Sequence, residues 1–113
     1  MHEMAIAQGI LDIALDAAAR NGAAAVTVIK LQVGELTEVE PAALAFCFSA
    51  LAAGTAAEGA RLDVETTPLA ARCRDCGREF RVERYRFLCP ACGSPALNIV
   101  SGRELRVAQL EVD

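Results

Sequence analysis

Two Cys-x-x-Cys pairs constrain this chain more than any other feature: Cys73-Arg74-Asp75-Cys76-Gly77 and, after twelve intervening residues, Cys89-Pro90-Ala91-Cys92-Gly93. Each pair reads as a tight turn, and Gly77 and Gly93 stand where a cramped or left-handed backbone is needed to aim both sulfurs inward. Two such turns facing each other make a tetrahedral thiolate cage. That cage suits structural Zn(2+), which takes four sulfurs at about 2.3 Å and has no redox chemistry to disturb. The spacer leaves room for a short hairpin between the knuckles. Two other readings use the same cysteines: a pair of disulfides, and iron in a rubredoxin-like cage. No signal-peptide pattern opens the chain, so a reducing, cytoplasmic setting is expected and disulfides are disfavoured. Iron would announce itself by colour.

The metal module cannot be the whole fold. The chain has 113 residues and is 54% apolar, too hydrophobic for disorder, with alanine supplying much of that content. No apolar run approaches the ~18 residues of a membrane span, so no membrane association is expected. The net charge of −4 argues against a general nucleic-acid binder. Arg72, Arg74, Arg78, Arg81, Arg84 and Arg86 nevertheless crowd into the cysteine stretch, against Asp75, Glu79 and Glu83. Four thiolates and a divalent ion would reduce that local excess to about one positive charge.

Flanking this module, the periodicity predicts an α+β fold: a small mixed sheet of about three strands with two helices, plus an inserted zinc-ribbon-like module. Residues 4–20 read as a helix, with Met4, Ile6, Ile10, Leu11, Ile13 and Ala17 on one broad side. Gln8, Asp12, Asp16 and Arg20 form a polar row at spacing four, and Asn21-Gly22 supplies the stop. Residues 25–33 switch to period two, with Ile29, Leu31 and Val33 on one face of a strand. A second helix starts near Thr37–Pro41, capped by Thr37 with Glu40 or by Glu40 before Pro41, and carries Leu44, Phe48 and Leu51. It ends at Gly54 or Gly59. Cys47, beside its apolar stripe, reads as a small buried hydrophobe. Residues 61–66 alternate as a second strand, and the alternation returns at Arg103 with a phase slip at Ala108-Gln109, the mark of a bulge or of a strand covered on both faces. Residues 1–68 and 103–113 thus form one domain, and 69–102 a second, metal-dependent one.

Met1-His2-Glu3 holds the only histidine of the chain. The bulk of His2 predicts that Met1 is retained. Its amine, the His2 amide nitrogen and the His2 Nδ1 can then close adjacent chelate rings around one ion, with the Glu3 amide as a fourth nitrogen in the plane. A tetragonal nitrogen set prefers nickel(II) or copper(II).

The chain as a whole resembles the HypA/HybF proteins of hydrogenase maturation. The likeness rests on Met1-His2-Glu3-Met4, Val33-Gly34-Glu35-Leu36, Val39-Glu40-Pro41 with Leu44-Ala45-Phe46, Gly59-Ala60-Arg61-Leu62, the paired knuckles, and Gly102-Arg103-Glu104-Leu105. The resemblance implies a nickel metallochaperone that delivers Ni(2+) to the [NiFe]-hydrogenase large-subunit precursor with the GTPase HypB; some members also serve urease. Carried over by position, His2 is the nickel ligand, aided by nitrogens of Met1 and Glu3. Cys73, Cys76, Cys89 and Cys92 then hold structural zinc. Some members use further histidines, and none follows His2 here.

A nucleic-acid-binding ribbon would account for the arginines alone, and a rubredoxin-like electron carrier for the cysteines alone. The metallochaperone accounts for both the N-terminal chelate and the ribbon. An enzyme is not expected, because no base or nucleophile with a recognisable partner is present.

Overall fold

The structure, a computed structural model, describes residues 2–113; Met1, one of the expected nickel ligands, lies outside the described residues. Helix α1, Glu3–Arg20, is followed by strand β1, Val26–Gly34, a single 3-10 turn, Glu35–Thr37, and helix α2, Pro41–Ala52. Strands β2 (Arg61–Thr67), β3 (Ala70–Cys73), β4 (Glu79–Arg81), β5 (Leu97–Ser101) and β6 (Leu105–Val112) complete the chain. They form two separate three-stranded sheets, ordered β2-β1-β6 and β4-β3-β5.

The first sheet is mixed, as expected. Strand β2 lies parallel to β1, which requires the crossover that α2 supplies, and β6 runs antiparallel along the other edge of β1. The helices cover one face of it. Ala7, Ile10, Leu11, Ala14 and Ala18 of α1 meet Val26, Ile29, Leu31 and Val33 of β1 and Leu44, Phe48 and Ala52 of α2 in one core. The small side chains decide which face of α1 is buried: the helix turns its alanines inward, leaving Met4 and Ile13 about half exposed (51% and 52%). The broad apolar side expected from the larger residues is therefore rotated. Gln8 and Asp12, and Asp16 and Arg20, do pair along the opposite polar row.

Of the two starts open to α2, the structure takes the later. Glu40 accepts hydrogen bonds from the Ala42 and Ala43 amides, with Pro41 at the first helical position. Thr37 instead donates to the Gly34 carbonyl, closing the 3-10 turn. The helix stops at Ala52, two residues before the first glycine expected to end it. The phase slip in β6 is a bulge. Lys30 pairs with Gln109 and Leu31 with Val107, so Ala108 is the extra residue. The bulge returns Val107 and Leu110 to the same core face.

The second sheet is antiparallel, with β3 in the centre, and its strands were too short to register as alternation in the sequence. Its core is small: Leu69, Ala71 and Val82, with Leu36, Phe80, Leu97 and Ile99 around them. The β3–β4 hairpin encloses the first knuckle, so no strand hairpin lies between the knuckles. That interval carries a turn instead. The Arg86 amide donates to the Glu83 carbonyl at 3.0 Å, and the two central residues, Arg84 and Tyr85, both have positive φ, 52° and 55°. This is the pattern of a type I′ turn, which normally carries Asn-Gly; each ordinary side chain there costs on the order of 1–2 kcal/mol.

With two cores the molecule is long, with extents of 55 × 25 × 16 Å and a radius of gyration of 17.5 Å, against about 13 Å for a compact chain of this length. The two sheets meet where the Gly34 amide donates to the Glu104 carbonyl and the Leu36 amide to the Gly102 carbonyl. A Cβ on Gly34 would run into the Gly102 carbonyl and come within 2.6 Å of the Arg103 amide nitrogen. Both obstacles are backbone and cannot step aside. Gly34→Ala is therefore expected to destabilise the protein by about 3 kcal/mol, at the upper end of ordinary substitutions, as measured by urea unfolding.

Candidate metal centres

The two knuckles are built alike. In the first, the Gly77 amide donates to the Cys73 carbonyl (2.9 Å) and the Cys73 amide to the Arg78 carbonyl (2.9 Å). In the second, Gly93 donates to Cys89 (2.8 Å) and Cys89 to Ser94 (2.9 Å). Gly77 and Gly93 close these turns at φ of 78° and 76°, the left-handed backbone expected of them. The Ser94 hydroxyl donates to the Asp75 carboxylate, tying one knuckle to the other.

This repetition brings all four sulfurs to within 4.8 Å of one another. The Cys73–Cys92 and Cys76–Cys89 separations are both 3.6 Å. A tetrahedron with metal–sulfur bonds of about 2.3 Å has edges of about 3.8 Å, so a four-thiolate ion fits. A disulfide, at about 2.05 Å, does not. All five cysteines are free, Cys47 packing half-buried against the first core.

The sulfurs divide into two kinds. Cys89 is drawn down to about 6, first by the Cys92 backbone N–H and then, against burial, by the Ala91 N–H and the Cys76 and Cys92 side chains. Cys73 is lowered likewise, chiefly by the Cys76 backbone N–H. Cys92 is pushed up to about 12: the Ser94 backbone N–H favours its thiolate most strongly, but the Cys73 side chain, burial and the Cys89 and Cys76 side chains together outweigh it. Cys76 is raised too. There the Arg78 backbone N–H is the largest influence and lowers it, and the Cys89 side chain, burial and the Cys73 side chain overcome it. Without a cation, the raised Cys76 and Cys92 thiols keep their protons at neutral pH and can share them with Cys89 and Cys73 across the two 3.6 Å contacts. A bound divalent ion replaces those shared protons, so uptake at pH 7 should release at least one proton per chain, from Cys92, and affinity should fall as pH falls. Calorimetry in buffers of different ionisation enthalpy measures this release; heats independent of buffer would contradict it.

The N-terminus is arranged differently. His2 is the N-cap of α1 and exposed, its side chain makes no capping hydrogen bond, and its carbonyl accepts the first helical bond from Ile6 (3.2 Å). The amides of His2 and Glu3 therefore precede the first helical donor and have no backbone acceptor within the helix. The Glu3 carboxylate is held below its usual range, first by its own backbone N–H and then by that of Glu40, which donates to it at 3.3 Å. This bridge joins residues 37 apart, and periodicity carries no trace of it. Among the described residues, the four cysteines are the only three-or-more cluster of metal-ligating side chains, and His2 stands apart from it.

The family model for hydrogenase/urease nickel incorporation metallochaperones, HypA, matches residues 1–112. The chain belongs to the HypA family. The hydrogenase maturation factor HypA of Geobacter metallireducens is 44% identical over 113 residues, covering 100% of both chains. That of Cereibacter sphaeroides is 46% identical over 112 residues, covering 99% of each. Among solved structures, the nickel metallochaperone HypA of Helicobacter pylori superposes with a TM-score of 0.69 at 21% identity, covering 99% of this chain and 97% of that one. A second HypA solution structure gives 0.74 at 22% identity, with 99% and 96% covered. At such identities the superpositions establish the fold: two helices, small mixed sheets and a four-cysteine ribbon. HypA proteins are metallochaperones of hydrogenase maturation and not enzymes. No helix among the described residues is long and apolar enough to cross a membrane.

Proposed function

We propose that this HypA-family chain binds nickel(II) through its first residues and delivers it in the cytoplasm to the [NiFe]-hydrogenase large-subunit precursor, working with HypB. The observation that carries this reading is the start of α1. Helix formation begins late enough to leave the His2 and Glu3 amide nitrogens free of helical acceptors, and the His2 imidazole is free to turn back over them. Together with the Met1 amine they supply four nitrogens, a set that favours nickel(II) and gives zinc no advantage. Zinc occupies the Cys73, Cys76, Cys89 and Cys92 cage as a resident, structural ion. Residues 1–68 and 103–113 form the nickel-handling domain, and 69–102 the zinc domain. The rubredoxin-like alternative shares the cage but leaves the N-terminus without a role.

Deleting the gene in its host should abolish [NiFe]-hydrogenase activity at trace nickel, with partial recovery when millimolar nickel is supplied. Wild-type protein should restore activity at trace nickel, and His2→Ala should not. Complementation by His2→Ala equal to wild type would defeat the proposal.

A further inference from the structure

The turn between the knuckles has a second use. Arg84 and Tyr85 occupy positions that Asn-Gly would fill without strain, which puts two large side chains at the tip of a sharply bent segment. Both ends of that segment are fixed. Val82 is buried, with its amide on the Leu69 carbonyl (2.8 Å), and Cys89 is buried in its knuckle with its amide on Ser94. The Tyr85 phenol lies against the Glu38 carboxylate, which raises its pKa through a side-chain hydrogen bond first and burial next. The Tyr85 and Phe87 rings sit 6.4 Å apart. Strain that persists in a segment anchored at both ends points to a use for the exposed groups.

Of the two side chains at the tip, Arg84 lines a cleft of about 410 Å³, and Tyr85 faces away from it toward Glu38. Arg81, Arg84 and Arg86 stand around a floor of Phe80, Leu88 and Pro90, with Glu83 as the one acid in the lining. Arg72 is paired with Glu79 at 2.8 Å and Arg81 with Glu35 at 3.3 Å, whereas Arg84 and Arg86 have no ion pair among the described residues. Leu88 is 48% exposed beside them. Two unpaired guanidiniums over an apolar floor complement carboxylates next to an aliphatic side chain.

We propose that the 83–88 turn is a docking surface for an acidic, extended segment of a partner protein, its carboxylates on Arg84 and Arg86 and an aliphatic side chain on Leu88 and Pro90. A nucleic acid fits less well. Two free guanidiniums match few phosphates and release few counterions, and the apolar floor of Phe80, Leu88 and Pro90 has no partner on a phosphate backbone.

The proposal stands apart from the nickel reading, and zinc-loaded full-length protein tests it. A random twelve-residue phage-displayed library is selected on the wild type and counter-selected on Arg84→Asn/Arg86→Gln, a variant that should melt no lower than wild type because Asn tolerates left-handed backbone. Selection should converge on peptides with two or more Asp or Glu near a Leu or Ile. A fluorescein-labelled peptide from that pool should bind the variant at least tenfold more weakly and weaken with salt. A twelve-nucleotide single-stranded DNA should bind the wild type more weakly than the peptide does. Failure to converge on acidic peptides, equal binding to both proteins, or tighter binding of the DNA would overturn the proposal.

Discussion

Cys89→Ala should strip the ribbon of its metal and unfold residues 69–102 while the helical signal of α1 and α2 survives. Neither helix contributes to the second core, whose fully buried residues are only Leu69, Ala71 and Val82. Segments below about 40 residues rarely fold on so little apolar burial, and structural zinc in small modules supplies on the order of 10–16 kcal/mol of apparent binding free energy. Removing one of four thiolates forfeits most of that. Elemental analysis should find far less than one zinc per chain. Amide resonances of β3, β4 and β5 should collapse to unfolded positions while those of β1 and α2 persist. Full zinc content with an unchanged melting curve would mean that the small core suffices without the metal.

The residues that were legible in the sequence are those whose chemistry is local. Four cysteines at fixed spacing leave few alternatives, and the alternation in β1 and β2 follows from burying one face of a sheet. Even the β6 bulge showed as a slip at Ala108, because a bulge moves the apolar period by one residue. Strands of three to five residues have no room for a period, so β3, β4 and β5 were silent. The buried face of α1 is not the one its larger side chains mark: Ala7 and Ala14 are inside since they let the helix lie close, and Ile13 is outside. The Arg84-Tyr85 turn could not be read at all. Nothing in the pair resembles the Asn-Gly that its backbone favours, and a sequence that contradicts its local geometry marks a place where other requirements govern. Likewise the Glu3–Glu40 bridge depends on how α1 packs against α2.

His2→Ala should remove specific nickel binding while leaving zinc content and melting temperature almost unchanged. The imidazole is exposed and makes no capping bond, so the fold loses nothing by its removal. Nickel loses the one side-chain nitrogen of the proposed plane, and the remaining nitrogens no longer close its six-membered ring. Glu3→Ala should act more mildly, since its proposed ligand is a backbone nitrogen; its loss instead frees the Glu40 amide. Copper(II) should displace nickel, as the divalent affinity order requires, so selectivity in the cell would come from metal supply and partners.

The nickel site is tested most directly by calorimetric nickel titration of untagged zinc-loaded protein, run in parallel on wild type, His2→Ala and a form acetylated at the Met1 amine. The account predicts about one nickel(II) per chain for wild type, with affinity falling as pH drops below the ~7.7–8.0 reference pKa of the amine. Both altered forms should lose affinity by at least a hundredfold at unchanged zinc content. Undiminished nickel affinity in both would place the ion elsewhere and leave the four cysteines as its remaining candidate.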